Sequence, residues 1–195
     1  MDILEKVINY KPFDDDERSD KEKFIELYNK YNGDVWTRDN EEAHMTVSSW
    51  VINKERKENG LKVLMCYHNI YDSWCWLGGH ADGDKDLLHV AMKEVYEETS
   101  ISKITPVLDD MISIEIGLPV KEHMKRGKLV KEHYHLNFTY LLEGSENDMI
   151  QMKEDENSGV KWLPVEELMS MVKEEHMKPV YQKLIDKVRL LGLDK

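Results

Sequence analysis

The stretch Trp76–Ile101, WLGGHADGDKDLLHVAMKEVYEETSI, constrains this chain more than any other. A short apolar run leads into two glycines, then an aspartate-rich turn, then a segment with helical spacing that carries Glu94, Glu97 and Glu98. A helix advances by about 100° per residue, which puts Glu97 at about -60° and Glu98 at about +40° from Glu94. The three carboxylates therefore share one arc. Leu88, Ala91, Met92 and Val95 form an apolar stripe beside it, while His89, Lys93 and Tyr96 fall on the far side. Such a cluster repels itself unless it faces water or a cation. Gly78 and Gly79 supply backbone angles closed to other residues and let a ligand approach the main chain. A glycine pair ahead of an acidic helix points to a cation.

The rest of the chain supplies a frame for that segment. Residues 1–40 read as a helical arm: DILEKVINY, an acidic break at DDDERSD, then KEKFIELYNKYN with Phe24, Leu27 and Tyr28 at helical spacing and Asp20 as the expected cap. From HMTVSSWVINK the texture changes to β-branched and aromatic residues, and LKVLMCYHNIY follows the turn-like KENG, which predicts a hairpin. Further strands are expected at MISIEIGLPV, HYHLNFTYLLEG and SGVKWLPV, then helices at VEELMSMV and KPVYQKLIDKVRLL, the last with Pro179 in its first turn. Strands enclosing a central helix, with helices at both ends, predict an α/β chain with a mixed sheet between helices. The domain reading is an arm over 1–40 and one domain over 41–195.

The net charge of -12 argues against nucleic-acid polymers and anionic membranes as partners, since both require a basic surface. The chain has two cysteines, Cys66 and Cys75, and no Cys-x-x-Cys pair, so no disulfide framework is expected. No signal-peptide core and no membrane-length apolar run occurs, which gives a cytoplasmic protein as the expectation.

Aligned on Glu97 and Glu98, the stretch resembles the signature of the Nudix hydrolases: Gly79 is its first Gly, Lys93-Glu94 its Arg-Glu pair, and Val95 and Ile101 its aliphatic positions. Lys85, Lys93 and Ser100 depart from the signature, standing where the family usually has Glu, Arg and Gly. The run from about 42 to 190 looks like a whole Nudix domain. The resemblance implies a Nudix-type α/β/α sandwich with an N-terminal helical extension. It further implies cleavage of a phosphoanhydride in a small nucleoside-diphosphate-linked substrate, with a divalent cation, magnesium or alternatively manganese. Glu94, Glu97 and Glu98 would hold that metal, with the Gly79 carbonyl as a further ligand, and the same three glutamates are the catalytic candidates. Glu97 is the first choice for activating water; Glu154, Asp155 and Glu156 of the loop KEDENSG are the outside candidates for the base, Glu156 first among them.

Substrate-binding candidates are Lys93, Arg126, His133 and His135. The last three belong to HMKRGKLVKEHYH, a basic patch in an acidic chain, where strand alternation sets His133 and His135 on one face with Asn137. His-x-His also suits zinc, but no third ligand at a suitable spacing accompanies it in the sequence. Two alternatives stand beside hydrolysis: a Nudix-fold module that binds without turnover, favoured by Lys85 and Lys93, and a prenyl-diphosphate isomerase, which would call on Cys75. The N-terminal arm is where a homodimer contact is to be sought.

Overall fold

The computed structural model describes residues 2–117, 119–125, 128–152 and 157–194. Helices α1 (Ile3–Asn9) and α2 (Asp15–Lys30) open the chain. Strand β1 (Ala43–Asn53), a short helix α3 (Arg56–Asn59) and strands β2 (Lys62–His68), β3 (Ser73–Cys75) and β4 (Leu77–His80) precede helix α4 (Leu87–Thr99). Then come β5 (Thr105–Pro106), β6 (Ser113–Glu115), β7 (His123–Lys125), β8 (Lys128–Val130), β9 (Tyr134–Gly144) and β10 (Asn157–Pro164). Helix α5 (Val165–Met171), a 3-10 turn (Glu175–Met177) and helix α6 (Lys178–Leu190) close it. Among the described residues the sheet path is β10-β2-β1-β9-β5, with β3 beside β2, β4 beside β1 and β6 beside β9; β7 and β8 pair separately. The chain is thus α/β with an N-terminal helical segment, as its sequence implies. No helix of the described residues is long and apolar enough to cross a membrane.

Two compact units divide the chain. One comprises Met1–Val47, His80–Leu87 and Ser113–Phe138; the other comprises Ser48–Gly79, Leu88–Ile112 and Thr139–Lys195.

In the first unit, α2 begins earlier than its sequence suggests. The acidic run expected to break the chain is the first turn of the helix, and its cap is Asp14, not Asp20. The Asp14 carboxylate accepts the Glu17 N–H at 2.8 Å, and Asp15, Asp16 and Glu17 sit where the helix dipole favours negative charge. Glu17 is fully buried and accepts the Phe13 N–H at 2.7 Å and the Ser113 hydroxyl at 2.6 Å. Those bonds compensate its burial. The apolar side of α2 packs Phe24 edge-on to Phe138, with ring centroids 5.3 Å apart. Val35, Met45, Ile114 and Leu136 are buried in the same unit.

The second unit holds a core of Trp50, Ile52, Val63, Met65, Leu141, Leu163, Leu168, Tyr181, Leu184 and Val188, among others. Val, Ile and aromatic residues suit the paired strands, and the apolar stripes of α5 and α6 supply Leu168, Tyr181, Leu184 and Val188. β10 pairs antiparallel with β2, Lys161 opposite Met65 and Trp162 opposite Leu64. That register slips between Asn157 and Gly159 at a β-bulge. Lys187 buries its stem in this unit and donates its ammonium to the Ile112 carbonyl at 2.7 Å.

Candidate active site

α4 turns a different stripe inward from the one its sequence suggests. Leu87, Val90, Ala91 and Val95 are buried, whereas Leu88 and Met92 are half-buried. The Ser49 hydroxyl donates to the Ala91 carbonyl at 3.0 Å and ties the helix to β1 within the second unit. This seating leaves Glu94 and Glu98 half-buried and Glu97 exposed. The three carboxylates thus occupy graded environments along one face.

Gly79 is where the backbone and Glu94 meet. A Cβ at that position would stand 2.5 Å from the Glu94 carboxyl carbon, so any side chain would push the carboxylate away. Glu98 is clamped from two directions: it accepts the Gly78 N–H at 3.1 Å and the Asn157 side-chain amide at 3.0 Å. The β10 bulge carries Asn157, and re-aiming a side chain in this way is a common use of a bulge beside a site. Asn157 went unrecognised in the sequence, because nothing local marks a residue some sixty positions from the helix it serves. Its Oδ1 is buried and has no hydrogen-bond partner among the described residues, so an acceptor is left over next to the acidic face.

Glu97 takes the charge of Lys93, whose ammonium lies 3.2 Å from it and 3.6 Å from Glu94. The hydrogen bond to Glu97 holds the Lys93 pKa above its ordinary value, although partial burial opposes it. Lys93, placed on the far side of the helix by its spacing, bends back over the acids. Lys85, the other lysine that departs from the signature, stands over the Trp36 ring at 5.8 Å in the first unit. Ser100 has φ +60°, the left-handed conformation in which glycine is at ease. The signature's glycine is thus a helix stop, and serine takes the same geometry here with its N–H on the Tyr96 carbonyl at 2.7 Å.

Gly79, Glu94, Glu97 and Glu98 fit a divalent cation. All their donors are hard oxygens, as magnesium and manganese prefer. The cradle at Gly79 and the leftover Asn157 acceptor agree with a group that lies against this face.

The remaining candidates divide. Arg126, Glu154, Asp155 and Glu156 lie outside the described residues. His133 and His135 lie in the first unit, where His133 is buried. Cys75 is buried, with its thiol 3.3 Å from a Glu174 carboxylate oxygen, and burial pushes that thiol up as it does Cys66. Trp76 packs edge-on to Tyr181 at 5.5 Å in the second unit, and Tyr71 stacks on His68 at 4.4 Å.

No curated protein sequence is similar enough to count as a match. Solved structures do resemble the chain. An Ap4A hydrolase of C. elegans in a binary complex superposes with TM-score 0.53 at 20% identity, over 76% of this chain and 98% of that one. The dihydroneopterin triphosphate pyrophosphohydrolase of E. coli gives 0.54 at 18%, over 76% and 96%. The NUDIX domain of Shewanella oneidensis NrtR, complexed with ADP ribose, gives 0.53 at 17%, over 82% and 97%. At these identities the likeness is one of fold. The NUDIX domain model matches residues 42–186, and the chain belongs to that family, as the resemblance of its box implied.

Proposed function

We propose that this protein is a divalent-metal-dependent hydrolase that cleaves a phosphoanhydride in a small, nucleoside-diphosphate-linked substrate. The observation that carries the reading is the acidic face of α4, where Glu98 is clamped by Gly78 and Asn157 while Glu97 stays exposed. A cation such as magnesium, held by Glu94, Glu97 and Glu98 with the Gly79 carbonyl, would neutralise diphosphate charge and make a bound water more acidic.

Each residue has its own task in this reading. Glu98 cannot swing while two donors hold it, so it fixes the position of a ligand. Glu94, wedged against Gly79, sets how closely the backbone and the acids approach. Glu97 is the base: water forms its bond to phosphorus, the bridging P–O bond breaks, the water proton goes to the Glu97 carboxylate, and the bridging oxygen leaves on the other phosphate. Lys93, its ammonium 3.2 Å from Glu97, keeps that carboxylate turned along the helix until substrate arrives. The similar structures include an Ap4A hydrolase, a dihydroneopterin triphosphate pyrophosphohydrolase and a NUDIX domain complexed with ADP ribose, which supports a nucleotide-like substrate class.

The test is phosphate and pyrophosphate release from a panel of nucleoside di- and triphosphate derivatives, with magnesium, manganese and a chelator. Release that needs the metal and disappears in Glu97→Gln is the expected result. Silence across the panel with nucleotide binding intact by calorimetry would replace hydrolysis with a binding role.

A further inference from the structure

The first unit gathers histidines that the hydrolase reading does not use. His44 stands at the start of β1, His80 ends β4, and His133 and His135 flank the first residue of β9. Their rings form one cluster: His44 stacks on His133 with centroids 4.8 Å apart, His133 meets His135 at 5.0 Å, and His80 packs on both His44 and His135 at 5.1 Å. His44 and His133 are buried.

Hydrogen bonding settles where two of the protons lie. His44 Nδ1 is 3.0 Å from the Asn40 carbonyl, and His133 Nδ1 is 2.8 Å from the Lys131 carbonyl. A carbonyl only accepts, so both Nδ1 atoms donate, and in the neutral rings both Nε2 atoms carry bare lone pairs. The His44 Nε2 is buried with no hydrogen-bond partner among the described residues. The His133 Nε2 lies 3.2 Å from the His135 Nε2, close to the spacing of about 3.3 Å that two imidazole nitrogens adopt on a tetrahedral zinc with bonds near 2.05 Å. One ligand atom from each of His44, His133 and His135 falls within 4.8 Å of the others. Imidazoles whose outer nitrogens are fixed by backbone carbonyls are the usual supporting arrangement of a metal centre.

We propose that His44, His133 and His135 form a site for a divalent transition metal of the zinc type, separate in chemistry from the carboxylates of α4. The metal takes the three Nε2 atoms and replaces the hydrogen bond between His133 and His135, His135 carrying its proton on Nδ1. Three protein ligands leave a coordination position for water or an oxygen of a small ligand, and His80 lines the site. The imidazole set selects zinc, nickel or cobalt over magnesium.

The test is zinc binding to the tag-free full chain, by competition with a chromophoric chelator in a large excess of magnesium. One equivalent is expected, retained by the Glu94→Gln/Glu97→Gln double variant and weakened at least about 100-fold in His44→Ala and in His133→Ala, since loss of a supporting partner alone costs 10–100-fold. Circular dichroism checks that the variants fold. X-ray absorption on the unaltered zinc-loaded chain gives an answer without any variant: imidazole scattering from three ligands is expected. Absence of binding, displacement by magnesium, an all-oxygen shell, or affinity unchanged in folded histidine variants would each overturn the proposal. Because the double variant removes the acids and leaves the histidines, failure of the hydrolase reading and failure of this one remain distinguishable.

Discussion

Set side by side, the acidic face of α4 and the histidine cluster at the start of β1 and β9 answer the same demand by opposite routes. The acids carry charge, accept water, and come from one helix whose spacing alone brings them together. Of the imidazoles, His44 and His133 are buried and His135 half-buried, and they come from the starts of β1 and β9, which the sheet brings together. Carboxylates at half-buried positions attract hard cations and exchange them readily; buried nitrogens whose protons are held elsewhere suit a softer ion that stays. The contrast teaches that helix spacing gathers one donor set within a single element, whereas the other set meets only once the strands have paired.

The largest test of that contrast is at Glu97. Glu97→Gln should lower metal-dependent turnover by about 10²–10⁴-fold, the usual range for a general base, with zinc affinity unchanged. A variant that keeps wild-type turnover in magnesium would remove the chemical role assigned to the acidic face. Next is Asn157→Ala, which releases one side of Glu98. We expect a loss of about 10–100-fold in magnesium affinity or in kcat/KM, as for other partners of metal ligands, measured by turnover over a magnesium titration. If it matters as predicted, the acidic face also depends on a distant strand, and the contrast between a local and an assembled site narrows.

Asp14→Ala addresses the unit that holds the histidines. Loss of the α2 cap should cost about 1 kcal/mol in denaturant unfolding, leaving turnover at 25 °C intact. Turnover that falls in parallel with stability would mean the two regions do not respond separately. The smallest effect is expected at Ser100→Gly, which relieves a left-handed serine and should raise stability by about 0.5–1 kcal/mol. A decrease would mean that the Ser100 hydroxyl, 3.3 Å from the Gln151 carbonyl, contributes more than the strain it accompanies.

How much of this was legible in the chain depended on whether one element carried the information. Glu94, Glu97 and Glu98 could be placed on one face because a helix converts spacing into angle. β1, β2, β9 and β10 announced themselves through β-branched and aromatic runs. The start of α2 did not, since a run of aspartates disfavours a helix interior and favours a helix beginning, and composition alone does not say which of the two applies. The buried stripe of α4 is centred differently from its sequence reading, with Leu87 and Val90 buried in place of Leu88 and Met92, because only packing decides where an apolar arc is centred. His44 was invisible as a partner of His133 and His135, for register between strands is set by the whole sheet. Asn157 was hidden for the same reason.

The bulge at Asn157 also says something about how this chain can vary. In a regular ladder, one residue added or removed turns every following side chain to the opposite face. A bulge absorbs such a change locally, so Asn157 can hold Glu98 while Lys161, Trp162 and Leu163 keep their partners on β2. A one-residue insertion or deletion at this bulge would therefore be taken up there, leaving the pairing of Lys161, Trp162 and Leu163 with β2 intact.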